Sequence, residues 1–236
     1  MYTYLDFIKD DDFKKSVNHV LKGYSIKTRN QNIIDLLKEY DNTIDEFKLL
    51  FDLYGNRTTL KSWKEAEILR QNDKTVNNYI GEFHQMVLGS VRGWTDLGIG
   101  DKSEIDLKKN DNSIFVELKN KFNTMNSSSE KECRRKLEKI VQEYPNSTAY
   151  WAFIISKDHK SVNTVWTSKN YKTDHRILKV SGNEIYKIVT GDSNALNKTF
   201  KALNLVLNDI VSEYSLSNED QRILSDFSNN IFLGNP

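Results

Sequence analysis

The chain has 236 residues, 38% of them apolar and 28% charged, with a net charge of +1. That apolar fraction suffices for a packed core and excludes a disordered tail, and the single cysteine, Cys133, excludes an internal disulfide and a cysteine-rich zinc site. No run approaches the roughly 18 apolar residues of a membrane span, and the opening MYTYLDFIKDDDF lacks the basic-then-apolar pattern of a signal peptide, so the expectation is a cytoplasmic protein.

Residues 3–72 read as helical, because Ile33, Ile34, Leu36, Leu37, Ile44, Phe47, Leu50 and Phe51 recur at spacings near three and four. Asn72-Asp73-Lys74-Thr75 reads as a polar break. Residues 76–91 read as a further helix with Ile80, Phe83, Val87 and Val91 on one side. After Gly93 the pattern changes. Glu104-Ile105-Asp106-Leu107-Lys108 alternates as a half-buried strand does, Asn110–Ser113 is a turn, and Ile114–Lys119 is the next strand, which predicts an antiparallel hairpin. Ser129 three residues before Glu132 reads as a capping box. The helix behind it carries Cys133, Leu137, Ile140, Val141 and Tyr144 as an apolar stripe and stops at Pro145. Ala149–Ile155 is almost continuously apolar, as a central strand buried on both faces is. Short strands are expected near Thr164–Trp166 and Ile177–Val180, and a final helix from about Ala195 to Tyr214 after the break at Gly191-Asp192. The expected architecture is therefore α/β, with a helical N-terminal arm over residues 1–75 and a core over residues 76–236.

The chemistry concentrates on the hairpin. Alternation along a strand places Glu117 and Lys119 on one face, with Val116 and Leu118 on the other, and the pairing brings Asp106 beside Glu117. Two carboxylates at one sheet edge form a hard-oxygen site suited to Mg²⁺. A lysine next to it can orient an attacking water and stabilise charge growing on a phosphate. The three-residue pattern by itself is weak, since Asp12–Lys14, Glu46–Lys48, Asp106–Lys108 and Asp158–Lys160 share it. Its context sets Glu117–Lys119 apart: an apolar strand carries it, an aspartate-bearing strand precedes it, and a capped helix follows. On the residues alone, a surface hairpin with ordinary charges on its wet face remains an equal reading.

The stretch Gly81-Glu82-Phe83-His84-Gln85, then Gly93-Trp94, Glu104–Leu107 and Val116–Ser128 resembles the AvaII/SinI-type restriction endonucleases. The likeness is strongest over about residues 79–130 and continues through His175–Leu178 and Ser181–Asn183. It implies a PD-(D/E)XK nuclease fold, a mixed central sheet flanked by helices. It also implies Mg²⁺-dependent cleavage of duplex DNA at short palindromes of the GGNCC or GGWCC kind. Carried over by position, Asp106 is the metal-binding aspartate, Glu117 the second acid and Lys119 the lysine. Glu82 is the helix acid that supports the metal site, although a helix carboxylate is also commonly just solvated. The resemblance further implies a homodimer, since a palindrome calls for a two-fold pair of sites. It also implies a partner DNA methyltransferase in a restriction-modification system.

Residues 157–201 carry nine Lys/Arg against four Asp/Glu, which fits phosphate contact or a merely solvated lysine-rich face. Lys121 suits a phosphate, and Asn123, Asn126 and Ser127 can exchange hydrogen bonds with bases, although plain helix capping is the stronger reading for the serines. For G·C-rich sites the candidates are Arg92, Arg134, Arg176 and Lys121, with Asp174 able to accept from a cytosine amino group. Arg134 and Arg135 also fit a solvated helix face. His84 reads as a helix residue, Cys133 as core, and Trp63, Trp94, Trp151 and Trp166 as packing. Two other functions stay open: a nuclease of the same fold acting in DNA repair or junction resolution, and a DNA-binding relative without catalysis.

Overall fold

The computed structural model describes residues 1–24, 45–98, 100–101 and 103–232. Ile33, Ile34, Leu36, Leu37 and Ile44 of the expected N-terminal stripe lie outside them. Contacts divide the chain into two units, Met1–Val17 with Gly81–Pro236, and Asn18–Ile80. In chain order the elements are α1 (Asp10–Lys22), α2 (Glu46–Gly55), α3 (Leu60–Gly89), β1 (Trp94–Asp96), β2 (Leu107–Lys109), β3 (Ile114–Lys121), α4 (Ser127–Glu143), β4 (Thr148–Ile155), β5 (Asn163–Val165), β6 (Ile177–Ser181), α5 (Gly182–Thr190), α6 (Ala195–Ile210) and α7 (Asn218–Phe232).

Within Asn18–Ile80, Asp45 caps α2 by accepting the Lys48 N–H, and Trp63, almost buried, donates its indole N–H to Asp52 at 3.0 Å. Phe47, Leu50 and Phe51 keep their helical spacing on α2 but stand exposed. The expected break at residues 72–75 does not occur, because α3 runs through it. Asn, Asp, Lys and Thr lower helix propensity without removing a backbone donor. Here Thr75 donates its hydroxyl back to Gln71 O, and Asn77 donates to Asp73, so the polar groups are satisfied along the helix itself.

The other unit is built on one six-stranded sheet in the order β1-β2-β3-β4-β6-β5. β3, β4 and β6 run parallel at its centre, while β1, β2 and β5 pair antiparallel toward the edges. β4 is central and buried over most of its length, as its apolar run requires. The parallel connection from β3 to β4 is made by α4, whose stripe of Cys133, Leu137, Ile140 and Val141 packs with Phe115, Ala149, Trp151, Phe153, Trp166 and Ile177 in one core. The α/β class is the one the pattern of elements predicted, and the mixed sheet with flanking helices is the one the resemblance implied. Three elements were not foreseen. β1 and α5 are short, so they show too few periods to read, and α7 follows a polar stretch. The helix expected from about Ala195 to Tyr214 ends earlier, α6 stopping at Ile210. β2 is shorter too, and Glu104 sits outside it with φ +58°.

Gly182 explains how α5 can begin directly where β6 ends. A Cβ there would lie 2.3 Å from the Ile154 carbonyl oxygen, so only glycine lets the helix start against β4.

Candidate active site

The β2–β3 hairpin pairs Leu107 with Val116. Continued one residue, that register sets Asp106 opposite Glu117. Ile105 and Leu107 anchor the Asp106 segment in the core, and Asp106 Oδ2 accepts the Leu118 N–H at 2.6 Å, so the carboxylate is held at the strand edge. Glu117 and Lys119 share a face, with Lys119 Nζ 2.9 Å from Glu117 Oε1. That face is not wet at Glu117. β3 is an inner strand, α4 lies over it, and Glu117 is only 3% exposed. A second lysine, Lys136 of α4, reaches the same oxygen at 3.6 Å. The other oxygen, Glu117 Oε2, is buried with no hydrogen-bond partner.

These neighbours set the electrostatics. Burial, and then the charge of Glu117, raise the Asp106 carboxyl to about 6. Burial pulls the Lys119 ammonium down, but Glu117 and Asp106 outweigh it and the group stays above its ordinary range. The Cys133 thiol is pushed up to about 12 by burial and then by Glu117, which makes it an inert core residue.

A buried carboxylate oxygen without a partner is costly, and a cation would satisfy it. The donors are hard oxygens. Among the described residues no three of His, Cys, Asp and Glu cluster as metal ligands. The pair Asp106 and Glu117 therefore fits a cation that keeps water and takes phosphate oxygens in its remaining positions, the habit of Mg²⁺, better than a fully protein-built cage.

Two residues that sequence reasoning missed brace this edge. Gln85 of α3 donates through Nε2 to Asp96 Oδ1 at 2.7 Å and to the Asp106 carbonyl at 3.3 Å, tying the helix to β1 and to the Asp106 segment. The close approach has its own signal, since a Cβ on Gly89 would sit 2.5 Å from Asp96 Cβ. Glu82 lies three residues before Gln85 on α3, hence on the same side of the helix.

The DNA-contact candidates separate into two groups. Lys121 ends β3 and is exposed, as are Asn123, Asn126 and Ser127 in the connection to α4 and Arg92 in the turn before β1. Asn126, rather than Ser129, caps α4. Its Oδ1 accepts the N–H groups of Ser128 and Ser129, so the helix starts earlier than the expected capping box. Arg134 is not on a solvated face. It is 1% exposed, and its guanidinium donates to Glu138 Oε1, the Trp166 carbonyl and the Lys172 carbonyl. Arg176 likewise gives its donors to Asp174 and to the carbonyls of Val141 and Pro145. It also sits at the wrong end of the sheet. Its carbonyl accepts from Ala149 near the start of β4, whereas Lys119 and Lys121 pair with Phe153 and Ile155 toward the end. Both arginines and Asp174 are thus committed to holding the fold, which a pattern of residue types does not reveal.

A mixed sheet flanked by helices, with Glu117 and Lys119 on β3 and Asp106 immediately before the adjacent β2, is consistent with the restriction-endonuclease-like fold. The chain belongs to the Eco47II restriction endonuclease family, whose model matches residues 5–212. It is 32% identical over 217 residues to the type II restriction enzyme Sau96I of Staphylococcus aureus, covering 87% of this chain and 80% of that one. It is 29% identical over 219 residues to the type II restriction enzyme Eco47II of Escherichia coli, covering 89% of each.

Proposed function

We propose that this chain is a type II restriction endonuclease of the PD-(D/E)XK kind, hydrolysing phosphodiester bonds of duplex DNA with Asp106, Glu117 and Lys119 and requiring Mg²⁺. The observation that carries this reading is the buried, unpartnered Oε2 of Glu117, on a residue whose other oxygen holds Lys119 and whose charge Asp106 feels. Asp106 and Glu117 would hold the metal, and Glu82 stands on the helix side that braces Asp106. Bound there, Mg²⁺ supplies a Lewis acid for the phosphate. Lys119 orients the attacking water and stabilises the charge that grows on the phosphate oxygens. Lys121, Asn123, Asn126, Ser127 and Arg92 remain the candidates for DNA contact, being exposed at or near this edge.

The relatives are type II restriction enzymes by name, and the resemblance over residues 79–130 supports a G/C-flanked palindrome of the GGNCC or GGWCC type. A homodimer follows from two-fold symmetry of such a site, and a companion methyltransferase from the need to protect the host's own copies.

The test is cleavage of long unmethylated duplex DNA, with Mg²⁺ or with EDTA, by the wild type and by Asp106→Ala. The expected result is a set of discrete fragments only with Mg²⁺ and only from the wild type, with fragment ends that fall on one short palindrome. Cutting confined to branched or flapped DNA would replace this reading by a repair nuclease. Retention of DNA with no product under any divalent cation would replace it by a non-catalytic binder.

A further inference from the structure

The buried residues of α4 are apolar except for Arg134, and a second basic side chain flanks them. Lys136 lies three residues after Cys133 and four before Ile140, both buried, so its side chain leaves the helix on the flank turned to the sheet. Its side chain is 21% exposed, less than the 33% of Lys119, and its Nζ lies 3.6 Å from Glu117 Oε1. One carboxylate oxygen therefore serves two ammonium groups while its twin serves none. With both acids ionised, the four charges of Asp106, Glu117, Lys119 and Lys136 cancel. A divalent cation arriving at that pair of acids meets two like charges a few ångströms away, in a setting too buried for water to screen them fully. The two lysines are not equally able to yield. Lys119 stands on the same strand as Glu117, two residues on, in direct hydrogen bond with it. Lys136 holds on at the longer distance, from a helix, through a flexible four-carbon stem.

We propose that Lys136 is a second active-site cation: it is the counter-ion of Glu117 in the metal-free protein, gives way to the incoming divalent cation, and then binds the phosphate being cleaved. The inference rests on the nuclease reading above and adds to it a residue outside the Asp106, Glu117 and Lys119 set. It makes the protein resist metal until DNA is present to receive the displaced ammonium.

The experiment measures two things for the wild type, Lys136→Met, Lys136→Arg and the exposed control Lys139→Met. One is the affinity for Mg²⁺ alone, without DNA, by titration calorimetry. The other is the single-turnover cleavage rate at saturating Mg²⁺ and DNA. Methionine keeps the helix propensity and most of the stem, and melting curves report that each variant is folded. Lys136→Met is expected to bind Mg²⁺ about tenfold more tightly, because a repelling charge is gone, and to cut roughly a hundredfold more slowly, because a charge on the reacting phosphate is lost. The exposed Lys139→Met should stay within about threefold of the wild type on both measures, and Lys136→Arg, which keeps the charge, should bind Mg²⁺ within about threefold of the wild type. Unchanged or weaker Mg²⁺ binding by Lys136→Met would overturn the proposal. So would tighter binding with an unchanged cleavage rate. A wild type that cuts no DNA would remove the nuclease reading instead, and the Mg²⁺ affinities would still decide whether Lys136 competes for Glu117.

Discussion

The carboxylate of Asp111 accepts the N–H and the hydroxyl of Ser113 at 2.9 and 2.5 Å and stands 3.0 Å from Lys109 Nζ, which closes the turn between β2 and β3. Those partners, the Ser113 hydroxyl first, lower it to about 2. A depressed acid stabilises the fold above its unfolded pKa, near 3.8, and that support is lost as pH falls toward 2. Asp111→Ala should therefore unfold at lower denaturant than the wild type near neutral pH, and the two midpoints should converge as pH falls through that window. A constant gap across the range would mean that the turn is held by something other than this charge. At the same scale, residue type alone misleads for long basic side chains. Arg134 and Arg176 have the chemistry of guanine readers, yet their donors close on carbonyls and carboxylates of their own chain. Lys136 lacks any motif and yet reaches Glu117.

Helix α4 begins at an asparagine that both caps it and borders the exposed Lys121–Ser127 connection. If capping is its role, Asn126→Ala should cost about 1 kcal/mol of stability and leave the cleavage site unchanged; a relaxed site at unchanged stability would assign Asn126 to base reading instead. Helix α5 begins under a stricter constraint. Gly182→Ala would drive a methyl group into the Ile154 carbonyl, and neither strand nor helix can retreat without opening β4. The expected loss is about 2–4 kcal/mol by denaturant unfolding, in the range of core overpacking and strain. A loss under about 0.5 kcal/mol, the level of an ordinary surface substitution, would show that the junction yields. Elements with several turns of regular periodicity were legible in the sequence, as with the buried stripe of α4 and the apolar run of β4. The three-residue β1, and α5, which is entered without a break, were not, because neither carries enough of a repeating pattern to read.

The palindromic substrate proposed above would set a requirement for the whole molecule. Cutting both strands at one site needs two copies of a constellation that the chain carries once, as Asp106, Glu117 and Lys119. Sedimentation should find a dimer at the concentrations that cut DNA, and supercoiled plasmid should pass straight to the linear form. A monomer that accumulates nicked circles would oppose the two-fold reading. The β2–β3 hairpin and the shared face of Glu117 and Lys119 could be read from the sequence because strand alternation and one tight turn are local properties. The sheet order, the parallel pairing of β3 with β4 and the burial of Glu117 beneath α4 were decided only by tertiary structure. So were the reach of Gln85 to the Asp106 carbonyl and the approach of Lys136 to Glu117. Each of these joins residues distant in the chain, and only packing of the complete core selects which side chains meet.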